Sequence, residues 1–199
     1  MRLYSYVVAR DYGFAPNPFY EYCTLATCKP AIRGAAKVGD WVIGTGSARN
    51  KRRGFLVYAM KVNEVMTFEE YWQDARFLQK RPNLHGSMKQ AYGDNIYHRG
   101  KESGVWIQED SHHSLEDGTT NLVNLKTDTK SPNVLISTDF VYYGGTGPKI
   151  PEAFNDEICA RRGHKSNFPE EFISSFENWL RSSDEHGYLG APLDWHLNR

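Results

Sequence analysis

CKPAIRGAAKVGDWVIGTGSARNKRRGFLVYAMKVNEVMTFEEYWQDARFLQK, residues 28–80, decides the fold. Pro30 suits the first turn of a helix, where a missing N–H needs no intrahelical partner, and Ile32, Ala35 and Ala36 follow at helical spacing. The spacing predicts a short helix over 29–37. Gly39-Asp40 then turns the chain into Trp41-Val42-Ile43-Gly44, a continuous apolar, β-branched run that reads as a buried strand. Residues 55–65 are β-prone and alternate in their second half, so they are expected to pair with 41–44 as a hairpin. Thr67 and Glu70 stand at capping-box spacing, and Phe68, Tyr71, Trp72, Ala75 and Leu78 mark the stripe of a helix that Pro82 stops. Asp74 and Arg76, two apart on that helix, are not expected to face each other.

Upstream, Leu3, Tyr4, Tyr6, Val7 and Val8 predict an opening strand. The loop DYGFAPNPF (11–19) follows, in which Pro16 and Pro18 prevent regular hydrogen bonding and leave Tyr12, Phe14, Phe19 and Tyr20 on an ordered connection. Downstream, residues 83–130 are rich in Gly, Asn, Asp, His and Ser, with one strand-like piece at Val105-Trp106-Ile107. Val134 to Ser137 and Phe140 to Tyr143 read as a second β pair across Thr138-Asp139. Pro169 opens an amphipathic helix marked by Phe172, Ile173, Phe176, Trp179 and Leu180. The closing GYLGAPLDWHLNR is expected to dock through Leu189, Leu193 and Trp195. The expected organisation is one α+β domain over 1–150 with a helical extension, 151–199, packed on it.

Composition narrows the function. Twenty-four Lys and Arg balance twenty-four Asp and Glu in 199 residues, which excludes coating of nucleic acid through bulk positive charge and confines any such contact to a local patch. The dense basic run Arg49, Lys51, Arg52 and Arg53 is the candidate for backbone phosphates; the competing reading is a solvated hairpin tip. Aromatics make up 14% of the chain, enough for a dense core or for stacking planar ligands. The first apolar run is too short for a signal segment or a membrane span, so a cytoplasmic chain is expected. Cys23, Cys28 and Cys159 are an odd, sparse set that fits reduced thiols.

Two constellations carry chemistry. Trp41 with Gly44, Thr45, Gly46 and Ser47 closes a strand in small residues, which admits a ligand or another backbone; it lacks the lysine and helix of a phosphate loop. Asp94, Asn95, Tyr97 and His98, with Trp106, Gln108, Ser111, His112, His113 and Ser114, supply amides and a carboxylate for base edges and rings for stacking. The alternative for Asp94 and Asn95 is a pair of side-chain turns. For catalysis, Asp94 is the candidate general base and His98 or His112 the acid. Cys28 or Ser47 as nucleophile would need a histidine from 98–113 and an orienting group. Cys23 and Cys28 lack a second ligand pair at zinc spacing, so no metal and no cofactor is expected.

The order of helix, Gly-Asp turn, small-residue strand end, hairpin partner and helix across 31–77 resembles the EVE and ASCH branch of the PUA-like superfamily. More closely, CTLATCKPAIR, GDWVIGTGS, GDNIYH and VLIS, within a stretch from Tyr4 to about Pro151, resemble the bacterial nucleotide modification associated domain 2 family. That resemblance implies a small mixed PUA-like β-barrel with flanking helices that holds a base in a pocket near Trp41 and 45–47. The expected ligand is a modified or flipped nucleobase, a nucleotide or nucleic acid. A protein partner from a modification or defence system is a further expectation, and the alternative is an enzyme acting on the same ligands.

Overall fold

The computed structural model describes residues 1–100, 104–158 and 163–198. In chain order its elements are β1 (Leu3–Val8), β2 (Cys23–Leu25), α1 (Pro30–Ala35), β3 (Trp41–Gly46), β4 (Leu56–Lys61), β5 (Glu64–Thr67) and α2 (Phe68–Gln73). After a 3-10 turn at Ala75–Lys80 come α3 (Met88–Ala91), β6 (Tyr97–Arg99), β7 (Trp106–Gln108), α4 (Leu122–Asp128), β8 (Asn133–Ser137) and β9 (Asp139–Tyr142). The last are α5 (Glu152–Ile158), β10 (His164–Lys165), α6 (Glu170–Arg181) and β11 (Gly187–Tyr188). Cys159 lies outside the described residues. The chain forms two compact units, one of residues 1–12, 36–63 and 137–199, the other of 13–35 and 64–136. No helix among the described residues is long and apolar enough to cross a membrane.

The first unit is built on a mixed six-stranded sheet in the order β10-β1-β3-β4-β9-β11. β1 runs parallel to β3 and β11 parallel to β9, while β3–β4 and β4–β9 are antiparallel. The 41–44 segment thus pairs with Leu56–Lys61 as predicted, but the expected 55–65 strand ends there: Glu64 and Val65 belong to β5 and pair with β8. Among the described residues, the terminal strands β10 and β11 do not pair with each other. The sheet is open, where a small barrel was expected. One face of the sheet carries Leu3, Trp41, Ile43, Leu56, Ala59 and Val141, and α6 lays Ile173, Phe176 and Leu180 on it. Each such side chain contributes roughly 1.5–3 kcal/mol by leaving water, which is why the helix carries its apolar residues on one stripe.

The C-terminal segment docks on the same unit. The Asp11 N–H donates to Asp194 Oδ2, the Asp194 N–H donates back to Asp11 O at 2.9 Å, and the Trp195 indole N–H donates to Tyr12 O at 2.8 Å.

The second unit holds a three-stranded sheet, β2-β8-β5, and the β6–β7 hairpin. The start of α2 is legible from sequence: Thr67 Oγ1 accepts from Glu70 N at 3.2 Å, and Glu70 Oε2 accepts from Thr67 N at 2.7 Å. Its end is not where the stripe places it. Asp74 is extended (φ −74°, ψ 124°), and the chain continues as a 3-10 turn that leaves Leu78 50% exposed. That break frees Asp74 to accept from Arg76 Nη2 at 2.7 Å while Glu64 accepts from Arg76 Nη1 at 3.0 Å. The helical argument against their meeting fails because no helix joins them.

The expected 134–143 hairpin is also absent. β8 pairs with β5 and β2, and β9 with β4 and β11. Thr138 therefore links two sheets rather than turning one strand back on its neighbour.

Candidate active site

Cys28 lies two residues before the first residue of α1, and both Cys28 and Lys29 have left-handed backbone, with φ of 57° and 41°. Neither is glycine, so each conformation costs about 1–3 kcal/mol, the kind of strain that persists only where surrounding structure enforces it. The enforcement comes from α4 and from Arg33. Asp128, the last residue of α4, accepts from the Cys28 N–H through Oδ1 at 2.7 Å. The fully buried Arg33 guanidinium donates to four backbone carbonyls: Cys28 at 2.8 Å, Ser131 at 3.0 Å, Asn133 at 2.6 Å and Asp128 at 2.5 Å. A planar five-donor fork is the one side chain able to gather so many carbonyls at once. It ties the Cys28 turn to the end of α4 and the start of β8.

Into this frame the β7–α4 connection brings His113. Its Nε2 lies 3.7 Å from Cys28 Sγ, and its Nδ1 lies 2.8 Å from Asp128 Oδ2. The carboxylate assigns the proton to Nδ1, so Nε2 is turned toward the sulfur to take or return its proton. His113 is held at its backbone as well as its ring. Gln108 Nε2 and Asn124 Nδ2 both donate to the His113 carbonyl, at 3.1 and 2.9 Å, and Phe14 packs on the imidazole with centroids 4.7 Å apart. Tyr97 donates its hydroxyl to the same Asp128 Oδ2 at 2.9 Å and accepts from Gln108 Nε2 at 3.1 Å. The result is a nucleophile, a base and an orienting carboxylate in line. Cys28 is only partly covered, while the Asp128 side chain is 2% exposed.

Burial works against a charged His113, but its bonds to Asp128 and Cys28 outweigh burial and lift it from 6.5 to about 9. An imidazolium beside a sulfur is the setting in which a thiolate serves as nucleophile. The same shift links stability to pH: the contribution is complete below about 6.5 and lost as pH rises through about 9, with an upper bound of about 3 kcal/mol. Urea unfolding of the native chain and His113→Gln at pH 6, 7.5 and 9.5 checks this. The gap in unfolding free energy should close across that window, and a constant gap would refute the linkage.

Cys28, His113 and Asp128 also place one ligand atom each within 4.8 Å of the others, the one such group among the described residues. The donor set fits a metal poorly. Asp128 already accepts from Cys28 N, Tyr97 and His113, which leaves Sγ and Nε2 to share an ion, fewer than the three protein ligands of a catalytic zinc.

The other expected residues fall elsewhere. Asp94 is fully buried, accepting from Thr24 Oγ1 at 2.6 Å and from the Tyr71 hydroxyl at 2.8 Å. Burial raises its carboxyl above the ordinary range despite the opposing charge of Lys80. Asn95 is 1% exposed and donates to the Tyr71 and Phe77 carbonyls. Both are core groups, so a general base at Asp94 has no surface on which to act. His112 is exposed, edge-on to Phe14 and Tyr92. Ser111 caps the turn before His113, and Trp106 lies under the Arg99 guanidinium at 4.3 Å. His98 stacks on Trp72, away from the cysteine, and its Nε2 meets Glu109 at 2.7 Å.

Trp41, Thr45, Gly46 and Ser47 belong to the first unit. Trp41 lines a cleft of about 310 Å³ with Asp139, Arg181 and Glu185. The close approach at Gly46 is made by the chain itself: a Cβ there would collide with the Arg52 carbonyl. Arg52 donates to Gly147 O and lies over Phe55, whereas Arg49, Lys51 and Arg53 are exposed.

A family model described as nucleotide modification associated domain 2 matches residues 1–199. No curated protein and no solved structure matches the chain.

Proposed function

Because the chain belongs to the nucleotide modification associated domain 2 family, we propose that it is a cysteine-dependent hydrolase acting on a modified nucleobase or nucleotide. The observation that carries this reading is the alignment of Cys28 Sγ, His113 and Asp128 at 3.7 and 2.8 Å on a strained turn. The thiolate attacks an electrophilic carbon of the substrate and forms a C–S bond. His113 gives its proton to the departing amine or alcohol. Water then attacks the same carbon, His113 takes its proton, and the C–S bond breaks to return the thiolate beside the reprotonated imidazole. Asp128 holds the imidazole in the tautomer that both transfers need.

In this reading the exposed Arg49, Lys51 and Arg53 serve a substrate carried in nucleic acid, by contact with backbone phosphates. Cytoplasmic work beside a partner from a modification or defence system belongs to the same proposal. So does PUA-like kinship of the six-stranded sheet, supported by the Gly39-Asp40 turn into β3 and its hairpin partner. Pure recognition of a flipped base is the second reading, favoured by the stack of His98 on Trp72 at 3.9 Å.

Intact-mass spectrometry of the chain, incubated with a panel of modified nucleosides and nucleotides, tests the proposal. A covalent adduct on Cys28, absent from Cys28→Ser and formed far more slowly in His113→Gln, is expected. Turnover that survives Cys28→Ser, or that a chelator abolishes, would overturn it.

A further inference from the structure

Tyr97 in β6 stands across the hairpin from Gln108 in β7, and a directly opposed pair turns its side chains to the same face. The phenol ring is fully buried and packs edge-on against Phe68 with centroids 5.3 Å apart. A phenylalanine would fill that place as well, without a buried hydroxyl that costs about 1–3 kcal/mol when it lacks a partner. What distinguishes tyrosine here is what its hydroxyl bonds: it donates to Asp128 Oδ2 at 2.9 Å and accepts from Gln108 Nε2 at 3.1 Å. Burial, and then the charge of Asp128, push the phenol far above its ordinary range, so it stays protonated and meets the carboxylate only as a donor.

Asp128 Oδ2 is also the oxygen that faces His113 Nδ1 at 2.8 Å, while Oδ1 holds the Cys28 N–H. One oxygen thus serves two donors. A hydrogen bond from a neutral hydroxyl stabilises the carboxylate charge and leaves less of it for the imidazolium. Gln108 fixes this division. Its Nε2 donates to the Tyr97 hydroxyl and to the His113 carbonyl, and its Oε1 accepts from the Asn121 N–H at 2.7 Å. Asn121 in turn caps α4, the helix that ends in Asp128. Both donors and their shared acceptor are therefore tied to one amide. The other titratable or charged groups about His113 are Cys28 at its Nε2, the His112 ring 6.0 Å away, Lys29 next to Cys28, and the Arg33 guanidinium on the Asp128 carbonyl.

Resting on the hydrolase reading of Cys28, we propose that Tyr97 is a positioning residue of its catalysis: by sharing Asp128 Oδ2 with His113, the hydroxyl loosens the carboxylate's hold on the imidazolium and lets it release its proton to the leaving group. With the hydroxyl gone, all of Oδ2 turns to Nδ1 and the ring keeps its proton more firmly. His113 stands at about 9 with the hydroxyl in place, so a further rise carries it away from the neutral range in which an acid and base works best.

NMR titration of the full chain, carbon-labelled at histidine Cε1 and with the His113 signal assigned by its loss in His113→Gln, tests the proposal in Tyr97→Phe and Phe68→Leu. In Tyr97→Phe the His113 midpoint should rise by about 0.5–1 pH unit, a proton held three- to tenfold more tightly. The change in Cys28 alkylation by iodoacetamide that follows loss of that proton should move upward with it. Phe68→Leu loosens the packing on the same ring but keeps the hydroxyl, so it should lower stability and leave both midpoints in place. A midpoint unchanged or lowered in Tyr97→Phe, or raised equally in Phe68→Leu, would overturn the proposal. No substrate enters the titration, so a raised midpoint in a chain that never forms the Cys28 adduct would count against the hydrolase and leave the sharing of Oδ2 standing.

Discussion

Asp128→Asn is expected to keep the fold and to slow alkylation of Cys28 by iodoacetamide at pH 7 by on the order of 10²–10³-fold. The isosteric amide can still accept from the Cys28 N–H through its oxygen, in place of the 2.7 Å bond now made by Oδ1. Its nitrogen then faces His113 Nδ1, where a carboxylate oxygen stood. A donor meeting a donor is resolved by moving the ring proton to Nε2, which turns an N–H toward the sulfur and removes the base. Without the carboxylate the imidazolium also loses the partner that, against the effect of burial, raises it to about 9. Alkylation rates across pH 5–10, with circular dichroism to confirm the fold, read both effects. An unchanged rate at pH 7 would show that Asp128 serves structure only.

Lys80→Met should lower the unfolding free energy by about 3–5 kcal/mol. Its ammonium is completely buried and donates to Asn17 Oδ1 at 2.7 Å, Asn17 O at 3.1 Å and Tyr22 O at 2.9 Å. Burial lowers its pKa to about 8, with Asp94 and Cys23 opposing that shift. Methionine fills the space but takes a charged donor away from three buried acceptors, of which Asn17 O keeps the Thr24 N–H at 2.9 Å and Asn17 Oδ1 the Phe19 N–H at 3.4 Å, and leaves the Asp94 carboxyl without an opposing charge. Urea unfolding measures the difference. A loss below about 1 kcal/mol would mean that water reaches these groups.

What the sequence disclosed follows from how local the physics is. The Thr67–Glu70 cap and the α6 stripe are settled within a few residues, so their patterns carry them. The break at Asp74 and the parting of β8 from β9 are settled by distant partners, and local signals misplace both. The active-site candidate is the extreme case. Cys28 reads as a thiol in need of a histidine, yet the histidine that meets it lies 85 positions on, and Asp128 a further 15. Nothing near Asp128 marks it as more than the last residue of a short polar helix. Asp94 shows the converse: an acid in a polar segment looks accessible, and only the fold reveals that Thr24 and Tyr71 enclose it.

The docking of Asp194 and Trp195 onto Asp11 and Tyr12 gives the chain an order of assembly. The first unit is interrupted by the second, and its closing contacts come from residues beyond 187. On a ribosome adding about 5–20 residues per second, the residues of the second unit are all synthesised several seconds before those contacts can form. Through that interval β1 and β3 wait with their α6-facing apolar side chains uncovered. The thiol site is thus assembled from residues already made, while the sheet that depends on the chain's end is the part exposed to chaperones and to aggregation during synthesis.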